Sequence, residues 1–350
     1  MVLYYKWLAV VWTTGEAQPA GGGMIFATAR VSASEGFVRP ADPARDMGAI
    51  ADLIEVAFGP ELAQTGNTLV ADMRSLAALG PLLTVVEHVA PFAGGFVWEQ
   101  DGRVVGNVTA TPESMAAGRW FVSNVAVHPA FQGRGIARRL MEATLESIRQ
   151  RHGRCVVLQV RTDNEPAQRL YRRLGFRRFD TIAELVRPGL LPSRTRPRVP
   201  GIRRLHGDDW QALFDLARAA TPPEVQRVRP IEARAFRPTW TRRLQEWFNS
   251  LLSGQQTLRW GVEDNGRLVA AVSILAQGAA NTARLDLAVR PEARGPLEAP
   301  LADYGLAVLA DWVPHAIATT VSTSHAEALQ ALQGRNFTTL RSLDQLILDL

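Results

Sequence analysis

The segment Gln132–Ala137 holds small residues where an apolar strand gives way to an amphipathic helix. Apolar residues then recur every three or four positions, which predicts a helix that begins at Ile136 and ends near Gly153. The first N–H groups of a helix have no partner within it, so they and the helix dipole favour an anion. Gly133 and Gly135 leave that anion room. The segment could therefore wrap a pyrophosphate, or it could be a tight turn that uses glycine only for its shape. Its spacing is neither a dinucleotide fingerprint nor a phosphate loop.

A second segment whose residues could take part in catalysis or binding follows a predicted buried strand and spans residues 162–176. It predicts a short helix with Asn164 as its N-cap. Tyr171 lies on the apolar stripe of that helix. Its phenol has an ordinary pKa of about 10, so it is protonated near neutral pH and can donate a proton. Tyr171 either acts in catalysis or packs in the core, and Asn164 either binds a ligand or only caps the helix.

At this spacing the two segments together resemble the GNAT acetyltransferases, which move an acetyl group from acetyl-CoA to an amine. The matching residues are Gln132, Gly135 and Ala137 in the first segment, and Asn164, Ala167, Leu170, Tyr171, Gly175 and Phe176 in the second. The resemblance is strong over about 37–180 and faint over 201–350. It implies acetyl-CoA as the cofactor and a primary amine of a small molecule or peptide as the acceptor.

The resemblance also implies a role for each part of the site. In the family, backbone amides of the glycine turn hold the CoA pyrophosphate, and the strand before the turn pairs with pantetheine. The corresponding residues here are Gln132, Gly133, Arg134, Gly135, Ile136 and Ala137 for the pyrophosphate, and Val125, Ala126 and Val127 for the pantetheine. Asn164 is a further cofactor-binding candidate. Tyr171 is expected to protonate the departing CoA thiolate, and no metal site is expected.

The base that removes the proton of the amine is not identified by the sequence. Many relatives in the family carry a glutamate on the strand that here reads WFVSNVAV, with Ser123 and Asn124. A water held by these residues or by main-chain carbonyls is one candidate. Glu99, Glu113 and His88 are others. In the family the amine attacks directly, which fits a chain whose one cysteine lies in a predicted buried strand with no base beside it in sequence.

The sequence predicts two copies of one fold. The segment AVHPAFQGRGIA from Ala126 aligns with AVRPEARGPLEA from Ala288, an offset of 162 (288 − 126). Segments from Thr162 and Thr323 align at an offset of 161 (323 − 162). Alternating strands and helices predict an α/β (α+β) protein with two tandem GNAT-like domains, each a mixed, mostly antiparallel sheet flanked by helices. The expected boundaries are 1–35 for a poorly defined leader, 36–187 for the catalytic domain, 188–200 for a linker and 201–350 for a degenerate domain.

The second copy has lost the residues that the resemblance assigns to the cofactor. Its replacements are Gly295, Pro296 and Leu297 in the turn, His325 opposite Asn164, and Leu332 opposite Tyr171. Proline has no N–H to donate, and leucine places a branched side chain where the anion would approach. One CoA site per chain is therefore predicted, in the N-terminal half.

Charge and cysteine content narrow the function classes. The net charge of +5 suits nucleic acid or a phosphate-bearing cofactor, but no basic run is interleaved with aromatic residues, so no nucleic-acid partner is expected. The single cysteine, Cys155, excludes an internal disulfide and predicts a reducing, cytoplasmic location. No apolar run reaches the roughly 18 residues of a membrane span. Three glycines directly before Met24 favour Met24 as the true start.

Two functions remain from these observations. The first is an acetyl-CoA-dependent N-acetyltransferase, as a monomer or homodimer. The alternative is a non-catalytic acyl-CoA-binding regulator. The missing glutamate favours the regulator, whereas Tyr171 favours the enzyme.

Overall fold

The computed structural model describes residues 35–65, 70, 73–74, 94–114, 117–189, 195–238, 256–276, 282–312 and 314–350. The expected leader up to residue 34, with Met24, and the base candidate His88 lie outside these residues. The described residues group into two compact units. The N-terminal unit contains those up to Arg177 together with Gln345–Leu350, and the C-terminal unit contains those of Arg178–Asp344.

The N-terminal unit is built on a mixed sheet with helices packed against it. Its described elements are β1 (Phe37–Pro40), α1 (Pro43–Thr65), β2 (Gly94–Gln100), β3 (Arg103–Ser114), β4 (Arg119–Val127), α2 (Ile136–Gln150), β5 (Cys155–Arg161) and α3 (Glu165–Arg173). Neighbouring strands are antiparallel from β1 to β4, whereas β4 and β5 are parallel. The predicted mixed, mostly antiparallel sheet is confirmed.

Helix α2 owes its position to one apolar stripe. The side chains buried on that stripe are Ile136, Leu140, Met141, Thr144, Leu145 and Ile148. They share a core with α3, while α1 packs in a second core with Val97 and Ala126. Helices α1 and α2 therefore pack against the sheet in two separate hydrophobic cores. Among the helices of the described residues, none is both long and apolar enough to cross a membrane.

The C-terminal unit repeats this order of elements. Its described elements are β6 (Arg177–Pro188), β7 (Ile202–Arg204), α4 (Trp210–Ala220), α5 (Pro223–Val228), β8 (Gln256–Asp264), β9 (Arg267–Ala276), β10 (Thr282–Val289), α6 (Glu298–Leu309), β11 (Ala316–Ser322), α7 (Ala326–Gln333) and the first part of β12 (Thr338–Asp349). From Gln345 onward, β12 belongs to the N-terminal unit. The strand order from β6 is β6-β11-β10-β9-β8-β7. Strands β10 and β11 are parallel, as β4 and β5 are.

An ion pair near the start of each unit marks the same repeat. Arg39 contacts Asp46 at 2.6 Å and Glu99 at 2.7 Å. Arg203 contacts Asp209 at 2.6 Å and a glutamate of the matching hairpin at 2.6 Å. In both units the arginine lies on the strand that precedes the first helix, and it ties that strand to the start of the helix and to the strand that follows the helix. The two halves thus share contacts as well as element order.

The last strand of each half belongs to the core of the other half. Ala183 and Leu185 of β6 lie in the core of the C-terminal unit. Leu346 of β12 lies in the core that contains α2 and α3, and Leu348 and Leu350 pack against it. The N–H of Leu350 donates to the carbonyl of Arg154 at 2.9 Å, beside β5. The described contacts thus group residues 178–187 with the C-terminal half, and the sequence-based domain boundaries stay a prediction.

Candidate active site in the N-terminal unit

The turn between β4 and α2 presents an open stretch of backbone. Gly133 and Gly135 have φ angles of +75° and +77°, a region that side chains disfavour. A Cβ added at either glycine would meet no atom within 4 Å. The glycines therefore satisfy the backbone shape and also leave free space in front of it. A ligand could approach these main-chain atoms closely.

The N–H groups of this turn are available to such a ligand. The first hydrogen bond of α2 runs from the N–H of Arg139 to the carbonyl of Gly135, at 3.1 Å. Among the described residues, no group accepts a hydrogen bond from the N–H groups of residues 133–138, and no side chain caps the helix. These donors and the positive end of the helix dipole lie at the start of α2, next to the open space in front of the two glycines.

Gln132 differs from the other predicted members of this turn. Its backbone N–H donates to the carbonyl of Pro129 at 3.3 Å, and its side-chain amide donates to the carbonyl of Val127 at 3.1 Å. Both donors are therefore engaged within the turn. Arg134 is also occupied, since it donates to the carbonyl of Ala130 at 3.0 Å and its guanidinium lies 5.1 Å from the centre of the Phe131 ring. The side chains of both residues shape the turn.

Strand β4 separates from β5 before it reaches the turn. In the described register only Arg119–Val122 pairs with β5, on Cys155–Leu158. Val125, Ala126 and Val127 lie beyond that point, with side chains at most 4% exposed. Their backbone groups on the β5 side thus have no strand partner in this register. The geometry leaves a slot between β4 and β5 that ends at the glycine turn.

A β-bulge lies within this slot. Asn107 of β3 pairs with Ala126, whereas Thr109 pairs with Ser123, so β4 carries one extra residue. Asn124 has a φ of +51°, and its carbonyl accepts a hydrogen bond from the Asn107 side chain at 3.0 Å. This bulge was not predicted from the sequence. The signal in the sequence was a shift in the alternation of buried residues along β4. Trp120 and Val122, at even positions, face the same core as Val125 and Val127, at odd positions.

The structure confirms Asn164 as the N-cap of α3. Its Oδ1 accepts a hydrogen bond from the N–H of Ala167 at 3.1 Å. Asn164 is only 3% exposed, and its Nδ2 has no hydrogen-bond partner among the described residues. An unmet buried donor costs about 1–3 kcal/mol, so a ligand or water that accepts from it stabilises the site. The two interpretations of Asn164 are therefore compatible.

Tyr171 lies on the buried face of α3, with 2% of its surface exposed. Its ring meets that of Phe176 edge to face, with centroids 5.8 Å apart. Burial raises the pKa of its phenol above the ordinary value, so the hydroxyl keeps its proton. Within the described part of the chain, no residue makes a hydrogen bond with this hydroxyl. The packing role and the proton-donor role are again compatible.

Gln159 was not predicted from the sequence as a residue of the site. It follows Leu158, the last residue of β5 that pairs with β4. Its Nε2 is buried, and no described residue accepts from it. Gln159 and Asn164 thus present two unmet amide donors on and just after the strand that borders the slot. The signal in the sequence was one amide in the otherwise apolar run CVVLQV.

The candidate carboxylate bases are engaged elsewhere. Glu99 accepts from Arg39 at 2.7 Å, and Glu113 accepts from Arg119 at 2.6 Å. Ser123 lies next to the bulge. The half-buried thiol of Cys155 has a pKa raised chiefly by burial, which favours the unreactive protonated form. Over the described residues, no cluster of three His, Cys, Asp or Glu side chains could hold a metal ion.

The equivalent turn of the C-terminal unit has a different chemistry. The carboxylate of Glu298 accepts from the N–H of Gly295 at 2.8 Å and lies 2.8 Å from Nε2 of His325. Leu332, opposite Tyr171, is fully buried. The second turn therefore already holds a negative charge that the protein itself supplies.

Comparison with known proteins agrees with this geometry. A family model described as "Acetyltransferase (GNAT) family" matches residues 70–176. The N-alpha-acetyltransferase RimI of Mycobacterium tuberculosis is 51% identical over 57 residues, which are 16% of this chain and 34% of that protein. This chain thus spans about a third of that relative. An N-alpha-acetyltransferase of Sulfurisphaera tokodaii is 30% identical over 122 residues, 31% of this chain and 72% of the relative.

A solved structure shares the fold over nearly the whole chain. It is a tandem GNAT protein from the clavulanic acid biosynthesis pathway, with a TM-score of 0.57 and 17% identity over 90% of this chain and 98% of that one. At this identity the likeness concerns the fold alone. With the family match and the relative covered over 72% of its length, it follows that this chain belongs to the GNAT acetyltransferase family.

Proposed function

We propose that this protein is an acetyl-CoA-dependent N-acetyltransferase that transfers an acetyl group directly to a primary amine of a small molecule or peptide. The observation that carries the proposal is the open turn at Gly133 and Gly135. Its unpaired N–H groups face free space at the end of a slot between two diverging strands. That arrangement suits a long cofactor with a diphosphate at one end and a thioester at the other.

The N-terminal unit would hold the cofactor mainly through its backbone. The N–H groups of residues 133–138 would bind the diphosphate, since they lie at the start of α2. The edge of β4 at Val125–Val127, which does not pair with β5, would pair with the pantetheine amides. Asn164 Nδ2 would donate to the cofactor, which would satisfy its buried amide. When bound, acetyl-CoA supplies an acetyl group activated as a thioester.

Tyr171 would supply the proton that the departing sulfur needs. Its raised pKa keeps the phenol protonated at neutral pH, and no described residue competes for its hydroxyl. An ordinary thiol, with a pKa of about 8.5, is a stronger acid than this phenol, so Tyr171 would act first as a hydrogen-bond donor that stabilises the departing thiolate. The sulfur would keep a proton from Tyr171 only as the phenol regains one from the reacting amine. The hydroxyl can also donate a hydrogen bond to the sulfur before the proton moves.

The proton of the amine would leave through the β-bulge. Glu99 and Glu113 are both in ion pairs, so neither carboxylate is free to act as the base. Ser123 and Asn124 lie at the bulge, where their polar groups could hold a water that accepts the proton. An amine enters the reaction neutral, so this path only needs to remove the proton that becomes acidic as the bond forms.

The acceptor class follows from the relatives only as a proposal. Several matched relatives are named N-alpha-acetyltransferases, and two are named mycothiol acetyltransferases. Peptide α-amines are therefore the first acceptors to test, followed by small-molecule amines. Gln159 would contribute to acceptor or thioester binding, because its buried donor borders the slot.

A second candidate function is a non-catalytic acyl-CoA-binding regulator. The observation in its favour is the engagement of Glu99 and Glu113 in ion pairs. Such a protein would bind acetyl-CoA through the same turn but would not release free thiol in the presence of amines.

Two measurements on the full chain test the proposal. Titration calorimetry with acetyl-CoA should give one site per chain, because the second turn is filled by Glu298. Thiol release with a panel of peptide and small-molecule amines should then exceed hydrolysis without amine. Binding without amine-dependent release would favour the regulator, and no binding would overturn both functions. Two equivalent sites would contradict our account of the C-terminal turn.

A further inference from the structure

The C-terminal unit contains a pocket of about 570 Å³ whose lining residues include none that matches the candidate active site. Helix α4 contributes Asp215 and Arg218, and α5 contributes Gln226. Strand β9 contributes its first residue, Arg267, and the segment after β10 contributes Arg290. Three guanidinium groups therefore line one pocket.

Arg290 is the most unusual of these residues, because only 4% of it is exposed. Its Nε donates to the carbonyl of Leu268 at 2.8 Å, which fixes the guanidinium in place. Among the described residues, no carboxylate lies within ion-pair distance of it. Burial, and next the charge of Arg267, lower the pKa of Arg290 from its ordinary value, while the charges of Glu292 and Asp215 oppose this shift. Since no carboxylate contacts the buried guanidinium directly, an anion bound beside it would be stabilised.

The other two arginines extend this positive charge to the pocket mouth. Arg218 places its guanidinium 5.6 Å from the centre of the Phe214 ring, and Arg267 lies 3.4 Å from Glu292. Both side chains are otherwise exposed. Asp215 and Glu292 offset two of the three positive charges, so these five residues carry a net charge of +1 (3 − 2). The charge thus favours an anionic ligand.

The walls of the pocket are held by hydrogen bonds within the unit. The side-chain amide of Gln226 donates to the carbonyls of Arg218 at 2.7 Å and Thr221 at 2.8 Å. This ties α5 to the end of α4. Gly266, with a φ of +74°, forms the tight turn just before Arg267. A preformed wall lowers the entropy lost when a ligand binds.

We propose that this pocket binds a dianionic phosphate group of a small ligand. Guanidinium groups donate paired hydrogen bonds in a planar fork that matches phosphate oxygens, and several of them together favour a dianion. At the position of Arg290 the N-terminal half has His128, whose Nδ1 accepts from the N–H of Ala130 at 3.3 Å within its own loop. The N-terminal half thus has no guanidinium at the position of Arg290.

Equilibrium dialysis of the full chain with radiolabelled orthophosphate tests this site. We expect the Arg267→Gln and Arg218→Gln variants to bind phosphate at least tenfold more weakly at this site. Both residues are exposed, so the fold should tolerate the changes. Arg227→Gln, an exposed change on α5 that does not line the pocket, should bind as the parent does. Arg290→Lys keeps the buried charge without the fork and should also weaken binding.

Two comparisons separate this site from others. Gly135→Ala should leave phosphate binding at this pocket unchanged, because the glycine turn belongs to the N-terminal unit. Phosphate binding that is lost in Gly135→Ala and kept in Arg267→Gln would overturn the proposal. So would equal binding in all variants, or no binding to the parent. Malonate that binds in place of phosphate, with the same sensitivity to Arg267→Gln, would overturn the assignment to phosphate.

Discussion

The carboxylate of Glu298 accepts a hydrogen bond from the backbone N–H of Gly295 at 2.8 Å. Gly295 stands where the N-terminal half has Gly133, whose N–H has no partner among the described residues. A buried glutamate of the second copy thus occupies the donor that the first copy leaves open. The C-terminal copy keeps the turn as a structural element, and the carboxylate of Glu298 stands where the N-terminal copy would bind an anion.

Replacing Glu298 by glutamine should therefore destabilise the C-terminal unit. Burial alone would raise the pKa of this carboxyl, but hydrogen bonds from His325 and from backbone N–H groups outweigh burial, and the pKa is lowered. The stabilisation is then present above the ordinary pKa of 4.5 and is lost as the pH falls through the lower, folded-state pKa. Glu298→Gln should lower the free energy of unfolding by about 1–3 kcal/mol at pH 7, measured by urea denaturation.

The pH dependence provides the control for that change. The difference between the parent and Glu298→Gln should shrink in strongly acidic solution, where the parent carboxyl is also neutral. Glu327→Gln, at an exposed position on α7, should change the stability little at either pH. A difference that stays constant as the pH falls would show that the charge of Glu298 is irrelevant.

Gly135→Ala and Gly102→Ala form a matched pair for the glycine turn. Both glycines have positive φ angles, +77° and +75°, and at neither would an added Cβ meet an atom within 4 Å. Both variants should lose about 1–2 kcal/mol of stability through backbone strain. Only Gly135→Ala should also weaken acetyl-CoA binding, by at least about tenfold in calorimetry, because its Cβ enters the space proposed for the diphosphate. Equal affinity of the two variants for acetyl-CoA would show that the diphosphate does not bind at this turn.

Tyr171→Phe should lower turnover by about 10²-fold while the Kd for acetyl-CoA stays nearly unchanged. The raised pKa means that the phenol loses its proton only above its ordinary value of 10.0, so it should cause no fall in activity below that pH. Steady-state rates and calorimetry on the same preparation separate the two effects. Tyr304→Phe removes a hydroxyl in the C-terminal unit and should leave turnover intact. Unchanged turnover in Tyr171→Phe would reduce Tyr171 to a packing residue.

Leu346→Ala should destabilise the N-terminal unit although the residue lies near the end of the chain. Leu346 is 6% exposed and belongs to the core that contains α2, α3 and Tyr171. Truncation of a buried leucine costs about 2–5 kcal/mol. Amide hydrogen exchange in α2 and β5 should therefore become faster. Asp349→Asn only breaks an exposed pair with Arg177 and should have little effect. Faster exchange confined to the C-terminal unit would contradict the assignment of Leu346 to the core of the N-terminal unit.

Much of the fold was predictable because local patterns and the tertiary structure agree. The apolar spacing of α2 predicted its buried stripe, and the position of Asn164 before Pro166 predicted the cap that its side chain forms. The duplication was visible because both copies keep the same order of strands and helices. In each case neighbours in sequence decide the conformation.

The features that escaped prediction depend on residues distant in sequence. The bulge at Asn124 is held by Asn107 across the sheet, and only a subtle change of alternation signals it. The pairing of Glu298 with His325 joins residues 27 positions apart, and nothing in the local pattern of either predicts it. The ion pairs of Glu99 and Glu113 are also long-range or cross-strand contacts, so the sequence left both carboxylates as candidates.

The exchange of final strands also sets an order of events during synthesis. The core around α2 and Tyr171 is translated first, yet Leu346 and its neighbours, which complete it, are translated after all of the C-terminal unit's other strands. A ribosome-bound chain that ends before residue 345 lacks Leu346, Leu348 and Leu350 from the core of its N-terminal unit. That core can therefore be completed only once the second copy has also been made.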